Sequence, residues 1–391
     1  MITRALQSKL IEYAKQYPVV TITGPRQSGK TTLCKMTFPG NNYFSLEDLD
    51  VRNYAQRDPR SFLEEALKKG AIIDEVQRVP ELLSYMQTVV DREKKEGLFI
   101  LTGSQDFALI DSISQSLAGR TALAKLLPFS YEELYGRDSD AGLDARRYSG
   151  FYPRIYDKNL NPTEALSFYV GTYLERDVRN LINVRDLSQF ELFLKLCAAR
   201  TGQILNLSAL GNDCGIKHNT AKSWLSVLQA SYIVHLLRPH HKNFRKRLVK
   251  APKLYFVDVG LAAYLLNIHA ASQMAHHPLK GALFETFVVS EIIKARFNSG
   301  KESNLYYFRD NTGNEVDIIM EYGTSIKPVE IKLGKTIASD YFKGLDYYRK
   351  INPGMNSRGC VIYGGECTEA RSANDVLSFR DLHKIELCET A

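Results

Sequence analysis

The segment from Gly24 to Thr31 most narrows what this chain can fold into, because it fits the phosphate-binding pattern GxxxxGK[ST]. The β-branched run Val19–Thr23 before it predicts a buried strand, and Thr32–Met36 can open a helix after it. Strand, loop and helix in that order let backbone N–H groups surround a phosphate at a helix N-terminus. A chance glycine-rich turn is the alternative for the segment alone. In this context the pattern predicts binding of a nucleoside triphosphate.

The loop pattern also assigns tasks to single residues. Lys30 is expected to reach the β- and γ-phosphates, and the Thr31 hydroxyl to bind Mg²⁺. The residues predicted to contact ATP in and after the loop are Gly24, Pro25, Arg26, Gln27, Ser28, Gly29, Lys30, Thr31 and Thr32.

The composition fits a soluble globular protein of two or three domains, with 391 residues, 44% hydrophobic and 24% charged. The apolar residues of Met1–Tyr17 recur at the spacing of an amphipathic helix, and the segment lacks the continuous apolar run of a signal peptide. The apolar segment Leu254–Leu266 is too short to span a membrane. The six cysteines are scattered without a CxxC pair, which favours free thiols. We therefore expect a cytoplasmic protein without a membrane partner.

The first third of the chain alternates strand-like and helix-like segments. Strands are expected at 19–23, 42–46, 71–74 and 98–102, and helices at 61–68 and 80–93. Such alternation predicts the α/β class, with a parallel sheet of the P-loop NTPase type wrapped by helices.

A second nucleotide motif lies at Ala71–Glu75, an apolar strand that ends in two carboxylates. Asp74 is expected to hold Mg²⁺ together with Thr31, and Glu75 to polarise the attacking water. Taken alone, the segment would be an ordinary strand with a solvated acidic end. Its distance after the phosphate loop favours the catalytic interpretation.

Two further positions are candidates for sensing the γ-phosphate. Ser104 follows the strand at 98–102 and is expected at the same sheet edge, although a Gly-Ser turn is the alternative. Arg120 is a candidate arginine finger, supplied to a neighbouring subunit of a homo-oligomer. A solvated surface arginine is the alternative for Arg120.

These motifs together resemble the prokaryotic AAA-type ATPases that carry a C-terminal domain of unknown function. The resemblance rests on four sequence runs, which are Gly24–Thr32, Ile73–Gln77, Leu101–Gln105 and Leu127–Ser130. It implies an ATPase that uses ATP and Mg²⁺, followed by a winged-helix-like module.

The middle of the chain carries the net positive charge of the protein. Residues 186–250 contain ten Lys and Arg against three Asp and Glu, which equals the net charge of +7 for the whole chain. Leu205–Leu237 fits a helix-turn-helix, and the basic run His240–Arg247 follows it. The pattern predicts DNA binding through residues 205–250. A helical lid that contacts only its own protein is the alternative.

The C-terminal region holds a separate set of charged residues. Glu285 lies on an expected helix, and Asp317 and Glu330 lie on consecutive strands joined by a turn. Lys332 follows Glu330 by two residues and faces the same way. The set resembles the PD-(D/E)xK nuclease core, in which Glu285, Asp317 and Glu330 would bind a metal ion and Lys332 would assist. Val316 departs from the proline of that motif, and a salt-bridge ladder or an inactive binding module is the alternative.

The sequence thus predicts three parts. They are an AAA-type ATPase with a helical lid (1–185), a basic winged-helix-like module (186–250) and a nuclease-like domain (251–391). ATP hydrolysis coupled to DNA binding or processing is the main hypothesis. A metal-dependent nuclease gated by ATP and a nucleotide-dependent switch for a protein partner are the alternatives.

Overall fold

The computed structural model describes residues 2–104, 115–136, 142–174, 187–240, 250–323, 325–353, 358–371 and 373–385. In these ranges the chain forms two compact units. The first contains the residues up to 129 with 230–232 and 296–301, and the second contains the remainder. The division into 1–185, 186–250 and 251–391 stays a prediction.

The first unit is built on a parallel sheet. Its strands are β1 (Val19–Gly24), β2 (Asn42–Ser45), β3 (Ala71–Asp74), β4 (Phe99–Ser104) and β5 (Thr121–Lys125). Its helices are α1 (Gln7–Ala14), α2 (Lys30–Thr37), α3 (Leu49–Arg57), α4 (Pro59–Leu67) and α5 (Leu82–Glu93), with a 3-10 turn over Val76–Arg78. In the described part of the chain the sheet has the order β2-β3-β4-β1-β5.

Strand β1 lies near the centre of this sheet and is buried along its whole length. Its successive side chains point to opposite faces, so Val19 packs in one hydrophobic cluster while Val20 and Ile22 pack in the other. A strand covered on both faces needs a continuous apolar sequence, which explains the β-branched run before the glycine-rich loop. The loop therefore follows a strand that is buried and paired on both sides.

The second part of the chain contains a mixed sheet. Its strands are β6 (Gln203–Ile204), β7 (Val234–Pro239), β8 (Lys253–Phe256), β9 (Leu305–Arg309), β10 (Glu315–Tyr322), β11 (Ser325–Lys332), β12 (Gly359–Tyr363), β13 (Glu369–Ala370) and β14 (Asn374–Ser378). Among the described residues their order is β13-β14-β12-β11-β10-β9-β7-β8-β6.

The second part of the chain also contains eleven helices among its described residues. They are α6 (Tyr131–Tyr135), α7 (Leu143–Ser149), α8 (Pro153–Asp157), α9 (Pro162–Tyr169), α10 (Leu187–Ala199), α11 (Leu207–Asp213), α12 (His218–Ala230), α13 (Val259–Leu265), α14 (Ala271–Met274), α15 (Lys280–Asn298) and α16 (Lys343–Ile351). A π-helical turn covers Val170–Leu174, and 3-10 segments cover Ser339–Phe342 and Phe379–Ile385.

The strands β7 and β8 connect two parts of the second sheet. β8 pairs antiparallel with β6 on one side and with β7 on the other. β7 then pairs parallel with β9, where Arg238 lies opposite Tyr306. The pair β10–β11 is a hairpin in which Tyr322 lies opposite Ser325, and Gly323 has the left-handed φ of 60° that its tight turn requires.

The predicted α/β class is confirmed. The strands expected in the first third are all present, to within two residues at each end. The elements that were not predicted are the helices α3, α6, α7, α8, α13, α14 and α16 and the strands β5, β6, β7, β8, β12, β13 and β14. In the described part of the chain no helix is both long and apolar enough to cross a membrane. The cysteines found there are free, and Cys34, Cys197, Cys214 and Cys360 are buried while Cys367 is exposed.

Candidate nucleotide site and carboxylate–lysine cluster

The glycine-rich loop is shaped by close backbone contacts. Gly29 has a left-handed φ of 90° just before α2 begins at Lys30. A side chain at Gly24 would place its Cβ 2.1 Å from the carbonyl oxygen of Leu126. Only glycine tolerates such a conformation and such an approach. The loop is therefore closed tightly over the carboxyl end of β1.

Lys30 is the buried cation of this loop. Its Nζ donates hydrogen bonds to the carbonyl oxygens of Gly24, at 3.0 Å, and of Pro25, at 2.9 Å. Burial lowers the pKa of Lys30, and the charges of Glu75 and Asp74 act in the opposite direction. The ammonium is thus held inside the loop, next to the two carboxylates.

Asp74, at the end of β3, accepts hydrogen bonds from hydroxyl groups on three neighbouring elements. Thr31 Oγ1 on α2 donates to Oδ2 at 2.9 Å, and the Tyr43 hydroxyl on β2 donates to the same oxygen at 2.8 Å. Thr102 Oγ1 on β4 donates to Oδ1. The pairing of Asp74 with Thr31 was predicted, whereas the bonds from Tyr43 and Thr102 were not. Ser104 as the sensor of the γ-phosphate stays a prediction. The alternation of β4 could have pointed to Thr102.

Glu75 follows directly and adopts a left-handed conformation that is rare for a residue with a side chain, with φ of 58°. The amide of Gln77 donates a hydrogen bond to its carboxylate. Strained backbone of this kind persists where neighbouring structure holds it, and it is concentrated at functional sites. The geometry therefore supports a specific orientation for the Glu75 carboxylate.

Arg4 bonds to the backbone of the glycine-rich loop and was not predicted as a site residue. Its guanidinium donates to the carbonyl oxygen of Ser28 and to that of Leu127, each at 2.7 Å, and lies 4.7 Å from the centre of the Phe129 ring. Arg4 is 7% exposed. A rigid guanidinium fork suits two simultaneous bonds of this type. The residue precedes α1, where helical spacing alone gave no sign of this contact.

The residues present fit a phosphate and Mg²⁺. The Ser28 hydroxyl is buried and has no hydrogen-bond partner among the described residues. Buried polar groups normally have one, so this hydroxyl is suited to a ligand oxygen. The Thr31 hydroxyl and the Asp74 carboxylate are hard oxygen donors, which Mg²⁺ prefers.

The other predicted contacts are placed as follows. Thr32 is exposed and Gln27 has φ of 59°, while Arg26 is half-buried. The backbone of Ser104 lies opposite Gly24, but its side chain lies outside the described residues.

Arg120 lies at the end of the strands opposite to the glycine-rich loop, too far away to act on the loop of its own chain. It immediately precedes β5, and its carbonyl accepts from the amide of Val19 at the start of β1. The loop is at the other end of β1, roughly 16 Å away along the strand. The guanidinium pairs with Asp91, with Nε at 2.6 Å and Nη2 at 2.9 Å. Its role towards a neighbouring subunit stays a prediction.

The four residues of the nuclease-like prediction are brought together in the second unit. Lys332 Nζ lies 2.6 Å from Glu330 Oε2 and 3.5 Å from Asp317 Oδ2. Glu285 reaches the same cluster from α15 through Lys253, a residue that sequence reasoning missed. Lys253 directly precedes an apolar run on β8, and its charge gave no signal beyond that of a strand end.

The charges of this cluster perturb one another. Burial and the neighbouring Asp317 carboxylate raise the pKa of Glu330 to about 8. Although burial acts to raise it, the ammonium groups of Lys332 and Lys253 hold the pKa of Asp317 below its ordinary value. Among the described residues, no group of three or more His, Cys, Asp or Glu side chains is arranged to hold a metal ion.

The basic region is described only in part. Lys242, Arg245, Lys246 and Arg247 lie outside the described residues. The helices α11 and α12 do form, beginning at Leu207 and His218, close to the positions predicted for a helix-turn-helix.

Sequence comparison decides the nature of the first unit. Residues 16–135 match the AAA domain family, and this range contains the glycine-rich loop and both carboxylates of β3. Residues 16–135 form an AAA-type P-loop ATPase domain. The loop, Lys30 and the Asp74 site therefore belong to a nucleotide-binding domain.

The regions after the AAA domain match families without an assigned activity. Residues 140–272 match one domain of unknown function (DUF8612), and residues 280–382 match another (DUF4143). An uncharacterized protein of Mycobacterium tuberculosis and one of Mycobacterium bovis are each 29% identical to this chain over 320 residues, which covers 79% of this chain and 70% of theirs.

Two solved structures are similar to this chain in part. A Walker-type ATPase of Pyrococcus abyssi has a TM-score of 0.45 and 15% identity, covering 66% of this chain and 94% of its own. The Holliday junction branch migration motor RuvB of Thermotoga maritima has a TM-score of 0.33 and 20% identity, covering 61% and 90%. The assignment of the AAA domain therefore rests on the family match and on the site itself.

Proposed function

We propose that the protein binds ATP and hydrolyses it with Mg²⁺. The observation that carries the proposal is the convergence of the Thr31, Tyr43 and Thr102 hydroxyl groups on Asp74, beside the buried ammonium of Lys30. Preorganised charge and hydrogen bonds of this kind are what phosphoryl transfer requires, because the protein contributes chiefly positioning and electrostatic stabilisation.

Each residue has a distinct task in this proposal. Lys30 exchanges its loop carbonyl partners for phosphate oxygens, and the Ser28 hydroxyl and the loop amides complete the phosphate contacts. Thr31 and Asp74 hold Mg²⁺, which when bound supplies neutralisation of phosphate charge. Glu75 orients the attacking water and accepts its proton.

ATP turnover with Mg²⁺ tests this proposal. Lys30→Ala and Glu75→Gln should each reduce turnover at least about 100-fold, because each removes a preorganised charge from the reaction. Glu75→Gln should still bind ATP, since it keeps the loop. The matched control is Glu81→Gln, at an exposed carboxylate that immediately precedes α5, which should leave turnover unchanged. Unchanged turnover in the first two variants would contradict the proposal.

We also propose that ATP binding is coupled to contact with DNA through residues 205–250. The element order α10-β6-α11-α12-β7-β8, with β8 paired to both β6 and β7, supports a winged-helix-like module. In such a module the segment between β7 and β8 is the wing, and here it contains the basic run 240–247. A cationic wing suits the phosphate backbone of a duplex.

Salt-dependent binding to a DNA duplex tests the contact. Reversing the charges of Arg245, Lys246 and Arg247 to Glu should weaken binding. It should also reduce the magnitude of the negative slope of log affinity against log salt by about three. The matched control reverses three exposed cations of the AAA domain, Arg60, Lys68 and Lys69. Equal effects of the two triple variants would remove DNA from the proposal and favour the protein-partner switch.

A further inference from the structure

One ammonium group lies at the centre of the C-terminal carboxylates. Lys253, on β8, is 3% exposed, and its Nζ lies 3.0 Å from Glu285 Oε1 and 3.9 Å from Asp317 Oδ1. It also contacts Glu315 Oε1. Three carboxylates from a helix and a strand therefore converge on a single cation that the chain itself supplies.

The oxygens that would bind a divalent ion are already occupied by protein donors. Asp317 Oδ2 accepts the backbone amide of Ile331 at 2.8 Å and faces Lys332 at 3.5 Å, while Oδ1 faces Lys253. Glu285 Oε1 accepts from Lys253 and from the Tyr255 hydroxyl, at 2.5 Å.

A divalent ion does not fit this arrangement. Such an ion needs carboxylate oxygens that point at one position and are available to it. Here the central position among the carboxylates belongs to an ammonium, and Lys332 occupies the Glu330 side. A buried carboxylate group needs compensating charge in any case, and two lysines provide it without a metal.

We infer that the Lys253 ammonium is the resident cation of this cluster, in the place that a divalent metal ion takes in the nuclease-like core. The cluster then ties β8 to α15 and to the β10–β11 hairpin by ion pairs, and the C-terminal region works without a metal ion at this position. This inference is independent of the proposed ATP hydrolysis.

Binding of Mn²⁺ to the full-length protein tests the inference. All proteins carry Asp74→Asn and are measured without nucleotide, so that the AAA domain does not contribute. The unfolding temperature in 1 mM Mn²⁺ and in EDTA should be the same for the protein with Lys253 intact, whether or not Asp317→Asn is added. A rise in Mn²⁺ that requires Asp317 would overturn the inference.

Replacing the lysine provides the second arm. Lys253→Met leaves the carboxylates without their central cation, so this variant should gain a Mn²⁺-dependent rise of several degrees, which Asp317→Asn abolishes. Lys327→Met is the matched control, because Lys327 is also a buried lysine of this unit but bonds to the carbonyl of Ile385. A folded Lys253→Met variant whose unfolding temperature does not change with Mn²⁺ would overturn the inference. If that variant does not fold, the comparison with Lys253 intact decides alone.

Discussion

The hydroxyl of Thr31 donates a 2.9 Å hydrogen bond to Asp74, a residue 43 positions later in the chain. The bond joins the first turn of α2 to the end of β3, so the protein itself holds the two nucleotide motifs together without a ligand. A ligand that enters such a site meets groups that are already oriented, and it need not order them itself.

Asp74→Asn should abolish hydrolysis and spare nucleotide binding. Asparagine keeps one acceptor oxygen for Thr31 but removes the negative charge that holds Mg²⁺. We expect turnover to fall at least about 100-fold, with ATP affinity measured in EDTA changed less than about threefold. An Asp74→Asn variant with near-normal turnover would show that the carboxylate has no part in the reaction.

The three hydroxyl partners of Asp74 should differ in importance. Thr102 is fully buried, whereas Tyr43 is 38% exposed and water can replace its hydrogen bond. Thr102→Val should therefore raise the Mg²⁺ concentration needed for half-maximal turnover by about tenfold, and Tyr43→Phe by no more than about threefold. Titration of turnover against Mg²⁺ measures both, and the reverse ranking would contradict the burial argument.

Arg4→Ala should weaken ATP binding, although Arg4 is a positioning residue that acts on the backbone of the loop. The loss of two charge-assisted bonds to buried carbonyl oxygens, at Ser28 and Leu127, should raise the KM for ATP about tenfold with a smaller effect on kcat. Steady-state kinetics separates the two parameters. A proportional fall in kcat alone would instead place Arg4 in the chemical step.

The control for Arg4 is Arg60→Ala, at an exposed arginine on α4. It should leave both kinetic parameters unchanged. Arg4→Lys should recover only part of the affinity, because an ammonium cannot reproduce the two-point geometry of the guanidinium.

Glu291 should make the stability of the protein depend on pH. Burial raises its pKa to about 7, against the smaller opposing effect of Lys294, so the folded state binds a proton that the unfolded state releases near pH 4.5. Stability is therefore greatest below pH 4.5 as far as this group is concerned, and it decreases as the pH rises to about 7. The contribution is on the order of 3 kcal/mol at most.

Urea unfolding of wild type and of Glu291→Gln measures this effect. The difference between the urea midpoints at pH 5 and pH 7.5 should be smaller in the variant, because glutamine does not titrate. Equal differences in the two proteins would assign the pH dependence to other groups.

The parts of the site that lie within one short segment could be predicted from the sequence. Lys30, Thr31 and Asp74 occur in fixed local patterns, because a loop before a helix and a carboxylate after a strand are determined by neighbours in the chain. The strands β1, β3 and β4 were predicted for the same reason, since burial on both faces produces continuous apolar runs. Asp317, Glu330 and Lys332 were placed together by strand alternation and a single turn, whereas Glu285, on a helix, was added through the resemblance to the nuclease core.

The contacts that were missed join residues far apart in sequence. Arg4 reaches Leu127 across 123 positions, and Lys253 reaches Glu285 across 32. Neither residue belongs to a periodic pattern, because each uses one long, flexible side chain to meet its partners. The strand β5 was missed because its alternating residues, among them the exposed Leu123, resemble those of a surface segment.

The double pairing of β7 bears on how this protein can be dissected. A cut at 250/251, where the charge of the sequence changes, would remove both β6 and β7, so that β8 loses its two strand partners and β9 loses one. A fragment beginning at residue 251 should therefore aggregate, whereas one that begins before α10 keeps the sheet continuous. A folded fragment that contains the carboxylate cluster must therefore contain the basic region as well.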